Sequence, residues 1–400
     1  MALDHADELL HTPENDPNWR ESLAFCFHDN RGRIGGVTKI TIWPRRKRGE
    51  GFAAIFQEAG QTLCRYVQVP LDTLENGAPS ASNPLRRSPG ATSIVIDFSE
   101  VNGALSAVGR LTQADTAPGD RCVGGDPGAN GTPSASRPLA VNRSSGTTPS
   151  LGNSANIDGA LAVPGMGYTM LAPFREWRLA VQADFRPRAV LSMSHALDEP
   201  AAGVPVQLAL NFHALGPVYE YPATPGLSTA TTRRYEQSGH MLGRIVVDGK
   251  LYNVAGLGSR SHSWGRRSLT LAEDRVVICA QFDAHLALNI RWGRHAGQEV
   301  AGGTILTDRR NLPVVSAAMT VIPDAPSGRP QSVQVKARTA DGRTWQLGGT
   351  VKAVQPILLP RGTAPQHLYA CSTRFRHNGL SGYGMLTVAR PARDNALLEG

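Results

Sequence analysis

Val206-Gln207-Leu208-Ala209-Leu210-Asn211-Phe212-His213-Ala214-Leu215 puts Val206, Leu208, Leu210 and Phe212 on one side of an extended chain, with Gln207, Asn211 and His213 on the other. A period of two marks a strand with one apolar face, because successive side chains point to opposite faces of a sheet. The same reading covers Ala280–Trp292, where Phe282, Ala284, Leu286, Leu288, Ile290 and Trp292 alternate with Gln281, Asp283, His285, Asn289 and Arg291. Working outward, strands are predicted at Ile34–Trp43, Cys64–Leu71, Thr92–Val101, Trp177–Phe185, Arg244–Val254, Val276–Trp292, Val333–Thr339 and Tyr369–Phe375. Helical periodicity is hard to find. Asp248-Gly249 and Asp341-Gly342 lie between alternating runs, and Asp-Gly signals a hairpin because both positions tolerate φ > 0. The fold is predicted to be all-β and antiparallel, a sandwich or a barrel; the alternation leaves open which face looks inward.

A chain of 400 residues exceeds the usual size of one core, so two domains are expected. From Leu111 to Gly165 the composition shifts to Gly, Pro, Ser, Asn and Thr, too little apolar surface to offset the entropy of ordering. This segment, 111–165, is predicted to be a disordered or loop insertion. It divides an N-terminal β domain, 1–165, from a C-terminal one, 166–400. The formal charge of +8 and pI of about 9.5 would suit an anionic partner, yet Lys and Arg are scattered. The one dense cluster, Arg45-Arg46-Lys47-Arg48, follows Pro44 and reads as a solvated loop, so no nucleic-acid partner is expected. Five widely spaced cysteines without Cys-x-x-Cys argue against a disulfide framework or structural zinc and fit a reducing compartment. The N-terminus is acidic without an apolar leader, and no run of 18 apolar residues occurs. The expectation is a cytoplasmic protein without stable membrane insertion, a monomer or homodimer.

Phosphate-binding Gly-rich loops, the Gly-x-Ser-x-Gly elbow and His-Glu-x-x-His are absent, which removes nucleotide-dependent and serine-hydrolase chemistry. The histidines are not grouped at metal-ligand spacing, so neither a metal nor a cofactor is expected, and a zinc site would need long-range assembly. Within Gly256–Arg267, a strand would project Arg260, His262 and Trp264 together, with Ser261 and Ser263 opposite. His262 is the candidate for proton transfer, since imidazole exchanges protons near neutral pH. Trp264 beside it could dry a pocket and stabilise a developing cation. The plainer reading is that His262 bonds a neighbouring strand and Trp264 fills the core. Asp283 is a candidate acid if pairing carries it into the same pocket, and otherwise lies on a solvated face with Gln281 and His285. Tyr219 and Tyr235, beside Glu220 and Glu236, could supply polar groups at a barrel mouth.

Asp16–Ser22, Asp29–Gly36, Tyr235–Gly239, Val247–Lys250 and Arg260-Ser261-His262-Ser263-Trp264-Gly265 together resemble bacterial proteins related to carotenoid 1,2-hydratases. That superfamily is built from two lipocalin-like β domains and also includes fungal decalin-forming cyclases. The resemblance covers both ends of the chain, with Leu111–Gly165 outside it. His-x-Trp-Gly is its most specific part, and in the hydratases the matching His and Trp are proposed to act at the active site. Relatives usually carry Asp before this His, where this chain has Ser261, so the role of that carboxylate is either missing or taken by another group such as Asp283. The resemblance therefore implies a cofactor-independent hydratase/dehydratase or isomerase/cyclase acting on a hydrophobic isoprenoid, steroid-like or polyketide substrate. His262 would exchange the proton, Asp283 would serve as acid, Trp264 would line the pocket and Arg260 would orient a substrate oxygen. The alternative is a carrier that binds an apolar ligand without chemistry.

Overall fold

The structure is a computed structural model and describes residues 3–58, 60–71, 160–187, 190–193, 203–222, 232–266, 274–295, 297–359 and 366–391. Four strands, β1 (Trp19–Asp29), β2 (Ile34–Trp43), β3 (Arg48–Gln57) and β4 (Thr62–Pro70), form an antiparallel meander. They are followed by β5 (Ala160–Val163), β6 (Met166–Ala172), β7 (Glu176–Phe185), β8 (Leu191–Ser192), β9 (Val204–Ala214), β10 (Tyr219–Glu220), β11 (Thr232–Val247) and β12 (Lys250–Arg266). Because β12 pairs with both β11 and β1, the first sheet runs β4-β3-β2-β1-β12-β11-β9-β7-β6-β5, with β10 beside β11. Reciprocal backbone bonds of 2.9 and 3.0 Å between Cys64 and Arg186 draw its two sides together. The sheet is nearly closed.

The second sheet contains β13 (Asp274–Gln281), β14 (Leu286–His295), β15 (Gln298–Thr307), β16 (Arg310–Pro323), β17 (Pro330–Thr339), β18 (Thr344–Leu359), β19 (Gln366–His377) and β20 (Leu380–Pro391). Each pairs antiparallel with the next, and β20 returns to β13. The result is a closed up-and-down barrel of the lipocalin-like kind, with β8 added in parallel beside β18. The all-β, two-barrel expectation is therefore met. Among the described residues no helix is long and apolar enough to cross a membrane, and no disulfide joins the described cysteines.

Both Asp-Gly pairs turn hairpins. Asp248 and Gly249 have φ of 49° and 75° between β11 and β12, and Gly342 has φ of 86° between β17 and β18. The Ala280–Trp292 run, in contrast, is two strands. Phe282-Asp283-Ala284-His285 forms the β13–β14 turn, and its chance alternation of apolar and polar residues continues the pattern of its flanks. The predicted strand Thr92–Val101, Cys122 and most of the 111–165 segment lie outside the described residues. At the end of that segment, residues 160–165 are β5 and the turn into β6.

The compositional boundary at residue 165 does not separate the two sheets. The segment falls after β4 and ends in β5, both in the first sheet, and apart from β8 the strands of the two sheets divide between Arg266 and Asp274. His-x-Trp-Gly consequently belongs to the sheet that also contains β1. The first barrel buries Phe25, Phe27, Trp177, Leu179, Phe212 and Ile245, and the second buries Ile278, Leu288, Ile290, Ile305, Phe375 and Leu386. Phe56, Leu191, Ile357 and Met385 belong to a third cluster shared by strands of both barrels. Each such side chain contributes roughly 1.5–3 kcal/mol by leaving water.

Where the barrels meet, His28 on β1 is buried beside Tyr383 of β20. Burial lowers its pKa to about 4, against an ordinary 6.5, so the folded protein holds it neutral. An imidazole with a depressed folded pKa contributes stability that is fully present above the unfolded value of 6.5 and is lost as pH falls toward about 4. At 1.36 kcal/mol per pKa unit this amounts to about 3 kcal/mol. Urea unfolding at neutral pH and near pH 4 should show wild type losing about that much more stability than His28→Gln; equal losses would remove His28 as a cause.

Candidate active site

The site grows from the three adjacent strands β1, β12 and β11. Across them His262 lies opposite Leu23 and Tyr235, while Trp264 lies opposite Glu21 and Arg233. Arg260, His262 and Trp264 share one face, as the alternation predicts, and Glu21 and Tyr235 join them there through cross-strand neighbour positions. Gly256 and Gly258 permit the close fit of β12 against β1. A Cβ at these positions would lie 1.8 and 2.2 Å from the carbonyl oxygens of His28 and Cys26.

The remaining members arrive from the N-terminal segment. A 3₁₀ turn, His5–Glu8, is capped by Asp4, whose Oδ1 accepts from the Ala6 N–H at 2.8 Å; Asp7 returns the contact to the Asp4 N–H at 2.9 Å. Farther along, the Arg45 Nε donates to the Glu14 carbonyl at 3.0 Å, and the Arg46 Nε donates to that of Pro17 at 2.8 Å. Arg45, Arg46 and Lys47 are exposed, as expected of a loop, while Arg48 begins β3; the two arginines of the turn also clasp this arm. The arm delivers Asp7, Glu8 and His11.

A continuous chain of hydrogen bonds results. The Glu21 Oε1 accepts from His11 Nδ1 at 2.8 Å and from His262 Nε2 at 2.6 Å, while its Oε2 accepts from the His11 backbone N–H at 2.9 Å. His262 Nδ1 stands 3.0 Å from the Tyr235 hydroxyl, which itself donates to Glu8. Glu8 accepts further from Arg260 Nη2 at 2.8 Å, Trp177 Nε1 at 3.0 Å and the Phe174 backbone N–H at 3.1 Å. Arg260 also donates to Tyr235 at 3.3 Å and to the Gln237 Oε1 at 2.8 Å. Glu8, Glu21, Tyr235, Arg260 and His262 are all at most 2% exposed.

Donor and acceptor capacity then assigns the protons. Tyr235 has one proton, which goes to Glu8, and it already accepts from Arg260, so His262 Nδ1 must donate to it. Glu21, as a carboxylate, can only accept, so His262 Nε2 must donate as well. Both ring nitrogens of His262 are thereby placed to donate, the arrangement an imidazolium would satisfy. With Arg260 it balances the two carboxylates Glu8 and Glu21, as a dry site requires.

The acidities agree in direction. Burial pushes the Glu8 carboxyl up, but Arg260 and the donated bonds from Tyr235, Arg260 and Phe174 outweigh it and hold Glu8 below the usual range. Burial likewise raises Glu21, and His11 and His262 bring it below its ordinary value. Burial, with Glu8 close by, pushes the Tyr235 hydroxyl well above its ordinary value despite Arg260. Tyr235 therefore remains protonated.

Around this chain, Trp264 stacks on His11 with ring centroids 3.9 Å apart, and the Arg233 guanidinium lies 5.1 Å from its ring. Trp19, Tyr235 and Trp264 form an aromatic cluster with Leu3, Phe174 and Val218 packed against it. His11, with its side chain 20% exposed, and Arg233, at 37%, border solvent. A cavity of about 160 Å³ lies elsewhere, between Trp292, Met319 and Val388 of the second barrel, and includes none of these residues.

Of the residues singled out from sequence, His262, Trp264, Arg260 and Tyr235 come together. The Arg260 guanidinium is committed to Glu8, Tyr235 and Gln237, a charge-balancing position rather than one that orients a substrate oxygen. Tyr219 packs edge-on against Tyr221, whose hydroxyl bonds Glu236 at 2.7 Å, in a separate network that includes Arg234 and Arg291. Asp283 does not enter the site. It is exposed in the β13–β14 turn, where its Oδ1 accepts from the His285 and Leu286 N–H groups at 2.7 and 2.8 Å. The burial on which its role as an acid depended is absent.

Glu8, His11 and Glu21 went unrecognised as site residues because His262 and Glu21 lie 241 positions apart. Glu21 does fall within one of the resembling segments. His11, Glu21 and His262 also form the one group of potential metal ligands among the described residues.

Removing Arg260 would leave Glu8 as an uncompensated buried charge. Arg260→Met should cost about 3–5 kcal/mol in urea unfolding, and adding Glu8→Gln should restore part of it. A cost below about 1 kcal/mol would show that Glu8 is not held ionised by Arg260.

No curated protein matches the chain by sequence. Among solved structures it is similar to a Nitrosomonas europaea protein provisionally designated AttH, at 11% identity and a TM-score of 0.56 over 97% of this chain and 96% of that one. It also aligns with kievitone hydratase of Nectria haematococca (9% identity, TM-score 0.48, 97% and 93% covered) and with CghA (7%, 0.48, 95% and 90%). At these identities the likeness concerns the fold. Residues 136–392 match DUF7064, a domain of unknown function, and the chain belongs to that family.

Proposed function

We propose that this protein is a cofactor-independent proton-transfer enzyme that hydrates, dehydrates, isomerises or cyclises a hydrophobic substrate at the His262 site. One observation carries the reading: a buried, charge-balanced chain links His11, Glu21, His262, Tyr235, Glu8 and Arg260, with its His11 end bordering solvent. A fold needs no such chain to close a barrel mouth, since apolar side chains of similar volume would do so at less desolvation cost. Proton transfer needs a protonated group in a dry setting, restored after each turnover.

In the hydration direction, the site gives a proton to one carbon of an alkene and water adds to the cationic neighbour. The proton lost by that water then returns to the chain through His11 and Glu21. Dehydration is the reverse, and isomerisation or cyclisation returns the proton without adding water. Trp264 and its aromatic neighbours supply an apolar wall and electron density for positive charge. Glu21 orients His262, and Arg260 keeps Glu8 ionised so that Tyr235 remains a hydrogen-bond donor.

The test is mass spectrometry of lipid extracts incubated in heavy water with wild type or His262→Gln, the variant being checked for fold by circular dichroism. The expected result is a wild-type product either changed in mass by one water or isomeric with its precursor and deuterium-labelled, and formed about 10²–10⁴-fold more slowly by the variant. Equal rates would remove His262 from the chemistry. An apolar compound retained unchanged by both proteins would make this protein a carrier.

A further inference from the structure

We propose that His11, Glu21 and His262 form a binding site for a divalent transition metal, with Zn²⁺ as the natural fit. His11 Nδ1, a Glu21 carboxylate oxygen and His262 Nε2 lie within 4.8 Å of one another. Both imidazole nitrogens are aimed at one oxygen, at 2.8 and 2.6 Å. Ligand atoms around tetrahedral zinc sit about 3.4 Å apart, so an ion enters once the carboxylate withdraws and the two imidazole nitrogens settle to that spacing. Two imidazoles and a carboxylate suit Zn²⁺ or Co²⁺ and are a poor match for Mg²⁺ or Ca²⁺, which take oxygen ligands.

The surroundings are those of a metal site. Histidine ligands present their other ring nitrogen to an outer partner that fixes their orientation. His262 Nδ1 has the Tyr235 hydroxyl at 3.0 Å, while His11 Nε2 makes no hydrogen bond and lies 3.5 Å from the Asp7 carboxylate. The second Glu21 oxygen is held by the His11 backbone N–H. Trp264 stacked on His11 closes one side, while the exposed part of His11 borders solvent. The ion takes the places of the protons on His11 Nδ1 and His262 Nε2, which are released. The site stands on geometry alone. Only its consequence, that bound metal empties the proton chain and stops turnover, rests on the function proposed above.

Full-length protein stripped with a chelator is titrated with Co²⁺ at neutral pH and followed by visible absorption. The expected result is one equivalent bound, with the intense bands of low-coordinate cobalt and displacement by Zn²⁺. His11→Ala and Glu21→Gln should each weaken binding more than tenfold, whereas His5→Ala, exposed in the same arm, should leave it unchanged. Failure to bind one equivalent, or wild-type affinity in both His11→Ala and Glu21→Gln, would overturn the site. No substrate enters this titration, so its outcome is independent of the heavy-water experiment.

Discussion

The organisation of this end of the first barrel depends on one electrostatic constraint: two buried carboxylates must be matched by two buried cations. Glu8 faces Arg260 at 2.8 Å and Glu21 faces His262 at 2.6 Å, with the Tyr235 hydroxyl joining the pairs. Removing an ion from water costs several kcal/mol, and pairing offsets this only where the remaining donors and acceptors are also satisfied. That condition explains why Glu8 draws on Trp177, Phe174, Tyr235 and Arg260 together. It also explains why the N-terminal arm cannot be a loose tail. Glu8 and His11 lie on that arm, and the Arg45–Arg46 turn clasps it from outside.

Much of the fold was legible because period-two alternation and Asp-Gly turns are local properties. Ile34–Trp43 coincides with β2, and the runs beginning at Trp177 and Val206 match β7 and β9 within two residues. The reading failed where local pattern and pairing diverge. Phe282-Asp283-Ala284-His285 alternates like a strand, yet the chain reverses there because β14 must return antiparallel to β13. The compositional shift before residue 165 falls between β4 and β5, which share a sheet, since hydrogen-bond pairing rather than composition decides which strands share a sheet.

The site was legible to the same depth. Arg260, His262 and Trp264 share a face because alternation within one strand requires it, and Tyr235 lies on the neighbouring strand. Their partners were hidden because Glu8, His11 and Glu21 reach them through tertiary pairing across more than two hundred residues. The acidic N-terminus was visible as charge, but nothing in its spacing said that one carboxylate would be buried against Arg260.

The most direct test of this account is nitrogen NMR of histidine-labelled, metal-free protein at neutral pH, with His262 assigned by comparison with His262→Gln. The account predicts that both ring nitrogens of His262 carry a proton, each in a hydrogen bond, one to Glu21 and one to Tyr235. A His262 ring with one unprotonated nitrogen would contradict it, because His262 would then not be the cation that pairs with Glu21 in the buried chain.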